Sequence, residues 1–251
     1  MTDRSRLRDI VDETIDNEKA KTGDLLDAVD GGRGGARDVI LSYLGIGEID
    51  KARMWATAAA PDYLQYARFV AEGRLDPSDP PDSLGAKPWI DALTAMQLAT
   101  FAGNDDVLLE AAEQVVEWAS LSFLEECRGW ENALIIDAVA ALAAFVLGES
   151  HSEYCDSAQS KFDAMDEQTI YAKRDVNLVT AVTGIANHDV EQVEAACREL
   201  DNFHESLDVY ESTPTELVNI HVCFCIIFAR RRSLDVTYTS DHVPESVISY
   251  Y

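Results

Sequence analysis

Three metal-capable side chains stand close together in His221-x-Cys223-x-Cys225. The surrounding run is apolar and reads as a helix, where positions two apart point to different sides. Cys223 and Cys225 therefore do not share one ion, and no second ligand pair stands at zinc spacing. The three residues read as buried thiols beside a core or interface histidine. Glu125, Glu126 and Cys127, with Trp130 and Glu131 close by, offer paired carboxylates and a thiol. No histidine can be named as their partner, and the segment reads as a polar inter-helix turn. Asp105-Asp106 and His188-Asp189 stand in turns, where Asp and Asn serve the backbone. Asp137 interrupts an otherwise apolar helix, so it needs a partner. Lys173, Arg174 and Arg128 are the candidates. Its first role is structural, although a buried ionisable group also marks sites.

Arg198 and His204 are separated by five residues on a segment that reads as a helix. That spacing, in an all-α chain, resembles the HEPN ribonuclease pattern. The resemblance implies an Arg–His pair that activates a ribose 2′-hydroxyl and stabilises the phosphate. Glu199 departs from it, because that family usually carries Asn, Asp or His after the arginine. The competing reading is a solvated helix face. The chain has no G-x-G-x-x-G, P-loop, G-x-S-x-G, H-E-x-x-H or EF-hand loop. No cofactor and no metal are expected.

The elements that would hold these groups read as helices. Residues 1–30 carry a helical apolar stripe and form one long or two short amphipathic helices. Asp30–Gly35 is a glycine-rich breaker, and a single all-α domain follows over 36–251. Inside it a helix–turn–helix rhythm repeats at Trp89–Phe101 with Val107–Ser120, Asn132–Leu147 with Glu153–Met165, and Thr169–Ala186 with Val190–Leu207. An earlier copy pairs Ile40–Leu44 with Ile49–Ala60. Asp106 and Asp189 are expected N-caps. Pro61 predicts a kink or break, and Pro88 suits a first helical turn. Residues 75–87, rich in Pro and Gly, read as an exposed loop. A last apolar helix spans Thr215–Arg230 and ends in Arg230-Arg231-Arg232, three cations at the negative end of its dipole and a solvated terminus. The tail is extended around Val236–Thr239, then briefly helical. The predicted fold is stacked antiparallel helical hairpins, α-solenoid-like or a compact bundle. Trp55, Trp89, Trp118 and Trp130 are read as packing residues.

The charge is extreme: 46 acidic residues against 20 basic, a net −26, with six lysines among the basic set. Aromatic and apolar residues are too plentiful for acidic disorder. Acids spread along the whole chain suit a cytoplasm filled with molar salt. There the Debye length is about 3 Å, so dense carboxylates no longer repel at range. On this reading the charge says nothing about partners, and the irregular five cysteines are free thiols of a reducing cytosol. Residues 1–30 show no signal peptide, and no apolar run reaches the roughly 20 residues a membrane span needs.

Length, Ala- and Trp-rich hairpins such as Trp89–Trp118, and the ending all bear on function. The ending is an apolar helix through Phe228-Ala229, an extended stretch, then His242-Val243-Pro244-Glu245-Ser246-Val247. Over about 36–248 this resembles the immunity protein 49 family, all-α antidotes found beside polymorphic toxins. The resemblance implies inhibition by binding without catalysis, with a toxin domain as protein partner. It transfers no binding residue to this chain. The expectation is a cytoplasmic, non-catalytic protein-binding module, with neither nucleic acid nor membrane as partner. Its contact surface is expected at the 75–87 loop and the concave faces of the hairpins. The alternatives are a HEPN-like RNA-cleaving enzyme using Arg198 and His204, or a helical scaffold or regulatory protein.

Overall fold

Each helix-sized apolar stripe finds its complement on the next helix along the chain. The computed structural model describes residues 4–16, 19–20, 25–29, 32–72, 87–120, 133–207 and 213–251. Among them are twelve helices: α1 Arg4–Thr14, α2 Arg33–Ile46, α3 Ile49–Ala71, α4 Lys87–Ala102, α5 Asp105–Ser120, α6 Ala133–Val146, α7 Ser152–Asp163, α8 Ile170–Ala186, α9 Val190–Glu205, α10 Pro214–Leu217, α11 Ile220–Arg230 and α12 Glu245–Tyr250. The described residues contain no strand; Ile15 and Val29 form one isolated antiparallel bridge. The all-α expectation holds.

Consecutive helices pack as hairpins, α2 on α3, α4 on α5, α6 on α7 and α8 on α9, with α3 also lying broadly against α4. Gly47, Gly103, Gly148 and His188 take positive φ within two residues of a helix end, turning the chain back. Gly184 allows α8 and α9 to touch. A Cβ there would stand 2.9 Å from Val193 Cγ2 and 3.1 Å from the Val193 nitrogen.

Helix α11 decides between an open and a closed array. It is apolar all round and buried from Val222 to Ala229, as such a helix must be. It contacts α4, α8, α9 and α12. The last hairpins are thereby tied back to the middle of the chain, as in a closed bundle. No described helix is long and apolar enough to cross a membrane.

Several local expectations are corrected. Helix α2 begins at Arg33, inside the expected breaker, and runs through Gly45 to Ile46. Helix α1 ends at Thr14, which excludes one long N-terminal helix; residues 19–20 are helical again, and Leu25–Ala28 form a turn. Pro61 does not break α3; buried Ala56, Ala59, Ala60 and Tyr63 seat that stretch in the core, and packing outweighs the proline's cost of about 3 kcal/mol. The cap of α5 is Asn104, whose Oδ1 accepts from the Val107 nitrogen at 3.2 Å, so Asp106 lies inside the helix. Asp189 caps α9 as expected, accepting from the Gln192 nitrogen at 3.0 Å. The expected Thr215–Arg230 helix is divided at Asn219, whose side chain accepts from the His221 and Val222 nitrogens and starts α11 anew.

Candidate functional site

The apolar stripe of α9, Val193, Ala196, Cys197 and Leu200, runs on into Asp201 and His204, also buried. Three strategically placed neighbours surround Asp201. Asn219 donates Nδ2 to Asp201 Oδ1 at 3.3 Å and to the Leu200 carbonyl at 3.1 Å. Tyr238 donates its hydroxyl to Asp201 Oδ2 at 3.2 Å. His242 Nδ1 lies 3.2 Å from Oδ1. Burial would raise the Asp201 carboxyl, but bonds from His242, Ser240 and Asn219 outweigh it and hold the group below its ordinary range. The same bond from Asp201 raises His242 above the ordinary imidazole value, against the pull of burial. The extended tail is thus pinned onto α9 and onto the cap of α11, where the Asn219 nitrogen also donates to the His242 carbonyl at 3.0 Å.

Asp201, Glu205 and His242 bring three possible ligand atoms within 4.8 Å of one another. Both Asp201 oxygens already accept hydrogen bonds from the protein, so a cation would have to displace those donors. The cluster works as a structural hub.

His204 leads from the hub to a cavity. Its ring centroid is 4.6 Å from that of His242. Its Nε2 lies 3.1 Å from the Glu216 carbonyl, an acceptor, so Nε2 carries the proton. Burial holds the imidazole below its usual pKa. Arg198, six positions earlier, is exposed; at 100° per residue the two side chains leave α9 about 120° apart. The ribonuclease-like pair is not brought together.

The cavity, about 110 Å³, opens where α2, α4, α8, α9, α10 and α11 meet, with Arg37, Gln97, Arg174, Phe203, Thr215 and His221 in its wall. Gln97 Nε2 lies 3.0 Å from His221 Nδ1. The amide donates, which leaves the ring proton on Nε2. Burial, then the charges of Arg174, His204 and Arg37, hold His221 neutral, well below the usual imidazole value. Arg174 pairs with Asp175 through Nε at 2.7 Å and Nη2 at 2.6 Å. Burial nevertheless pushes Asp175 up to about 6. Two buried polar atoms in this wall, Arg37 Nε and Thr215 Oγ1, meet no hydrogen-bonding partner.

A second hollow of about 160 Å³, lined by Ile170, Lys173, Asn202 and others, shares Phe203 with the first. Tyr171 packs edge-on to Phe203 at 5.9 Å. The Arg174 guanidinium sits 5.5 Å from the Tyr171 ring and 5.8 Å from the Phe203 ring. Ile90, Ile170 and Tyr171 rim this face and are 42%, 39% and 47% exposed, among the most exposed large apolar residues described.

Comparison with family models, curated proteins and solved structures returned no match.

Other sequence candidates lie elsewhere. Asp137 pairs with Lys161 and accepts from the Ser157 hydroxyl at 2.9 Å. Both partners come from α7, so the expected Lys173 or Arg174 pairing is corrected; α7 is the hairpin mate of α6. Cys225 faces the Cys197 thiol, while buried Cys223 has its thiol pushed up by desolvation. Cys155, Cys197, Cys223 and Cys225 are free. The arginines at the end of α11 are not a solvated terminus. Arg230 donates to the Val236 and Ile248 carbonyls, Arg231 pairs with Asp105 at 2.5 Å, and Arg232 covers the Phe228 ring at 3.6 Å. Trp55, Trp89 and Trp118 are buried as expected. Residues 75–86 of the expected loop, and Glu125, Glu126, Cys127, Arg128, Trp130 and Glu131, lie outside the described residues.

Proposed function

We propose that this chain is a non-catalytic protein-binding module of a salt-adapted cytoplasm, and that it binds through the face made by the start of α4, the start of α8 and the end of α9. The observation that carries this is the grouping of Ile90, Ile170 and Tyr171 around two hollows that share Phe203. Interface energy concentrates in Tyr, Trp and Arg set among packed apolar contacts, and Tyr171, Phe203 and Arg174 form such a set. Molar salt screens rim charges, so apolar anchors are what a binding protein there has left. The resemblance to immunity proteins gives the concrete form: an antidote that covers a toxin domain.

The test is affinity capture with the full chain in molar KCl, identification of the retained protein, and measurement of its affinity for wild type and Tyr171→Ala. The reading expects one saturable partner whose affinity falls on Tyr171→Ala. A partner indifferent to Tyr171→Ala and Ile170→Asp would remove this face from the account.

A further inference from the structure

We propose that the cavity between Arg37 and Thr215 is a binding site for a free short-chain monocarboxylate. The cavity shares Ile90, Arg174 and Phe203 with the proposed protein-binding face, but the inference rests on other observations. It starts from two groups left unpaired where pairing is the rule. A buried polar atom without a partner costs about 1–3 kcal/mol, so such atoms are rare and call for an occupant. Thr215 is 7% exposed, and its hydroxyl meets nothing; Arg37 Nε is in the same state. Both belong to one wall.

Two further polar groups of that wall, His221 and Arg174, present donors as well. With His221 Nδ1 engaged by Gln97, the ring offers its Nε2–H. Arg174 spends Nε and Nη2 on Asp175, which leaves Nη1 outside that pair. Donors without matching acceptors define an oxyanion site.

Charge selects a monoanion. Arg174 is offset by Asp175. Arg37 acts on Asp38 and, after Arg33 and Lys87, on Asp91, while burial raises both carboxyls. What remains cannot balance a dianion. The rest of the wall includes Ile90, Leu93 and Phe203, which a strongly hydrated phosphate would not seek but an alkyl tail would. At about 30 Å³ per water, a cavity of about 110 Å³ suits a carboxylate with a few carbons.

The experiment is calorimetric titration of sodium butyrate into the full chain at constant KCl, with 1-butanol and inorganic phosphate as competitors. Wild type should bind butyrate one-to-one and saturably below about 50 mM, and neither competitor should displace it. Thr215→Val keeps the shape and removes the donor, so affinity should fall about tenfold. Arg37→Lys keeps the charge and removes Nε–H, and should weaken binding too; it decides the matter if Thr215→Val fails to fold. Absence of saturable butyrate binding overturns the proposal. So does displacement by 1-butanol, tighter binding of phosphate, or butyrate affinity untouched in both variants. Because the ligand is free in solution, none of these results bears on whether a protein partner uses Tyr171.

Discussion

The Asp201 hub and the Thr215 cavity adjoin each other through His204, and both are built on α9 and the segment leading into α11. They treat buried polarity in opposite ways. Around Asp201, Asn219, Tyr238 and His242 supply a donor to each carboxylate oxygen. Around Thr215, a hydroxyl and an Arg37 nitrogen are buried with nothing to bond. A saturated buried network specifies and stiffens a fold, whereas an unsaturated one costs stability unless something fills it. The contrast separates the part of the molecule that holds the chain together from the part that is poised to bind.

Removing the hub should give the largest effect. Asp201→Ala strands Asn219, Tyr238 and His242 and should cost about 3–5 kcal/mol, read by chemical denaturation. The loss should also depend on pH. The Asp201 carboxyl is held below 3.8, so its contribution is full above about 4 and fades as pH falls through the lowered value. His242 is raised above 6.5, so its contribution is full below about 6.5 and fades as pH climbs through the raised value. The gap between wild type and Asp201→Ala should therefore be widest between about pH 4 and 6.5. A gap that keeps growing above pH 8 would show that the pair is not the source.

Asp137→Ala should cost less, about 2 kcal/mol, because Lys161 is partly exposed and can return to water. A loss as large as that of Asp201→Ala would make the α6–α7 pair a second hub. Tyr171→Ala should leave stability within about 0.5 kcal/mol, as exposed substitutions do. A large loss there would mean that the residue packs the fold and is not a free anchor. Melting at millimolar against molar KCl tests the salt-adapted reading. A net −26 should lower the melting temperature as screening is withdrawn, and an unchanged melt would contradict it.

The hairpins were legible in the residue order because each rests on local signals: apolar stripes at helical spacing, then Gly47, Gly103, Gly148 or His188 at the turn. Asp189 as a cap was legible for the same reason. The break at Asn219 is hidden in the sequence because the apolar run continues on both sides of it, and only the Leu200 and Asp201 contacts show why the chain stops there. Arg230–Arg232 read as solvated from sequence alone because their partners, Asp105, Val236 and Ile248, stand on other elements. The cavity had no signal in the sequence at all. Arg37, Gln97, Arg174 and Thr215 come from four separate helices, and no pair is spaced as a motif. Arg198 and His204 failed in the opposite sense, sharing a helix but not a side of it.

The central claim is that Asp201 is buried for structure and Thr215 for a ligand. Thermal melting of Thr215→Val beside wild type, with and without butyrate, tests it most directly. The account predicts that replacing an unpaired buried hydroxyl with a methyl leaves the melting temperature equal or a few degrees higher, and that the rise butyrate gives wild type is lost. A Thr215→Val chain that melts well below wild type, or that still gains the full butyrate rise, would contradict it.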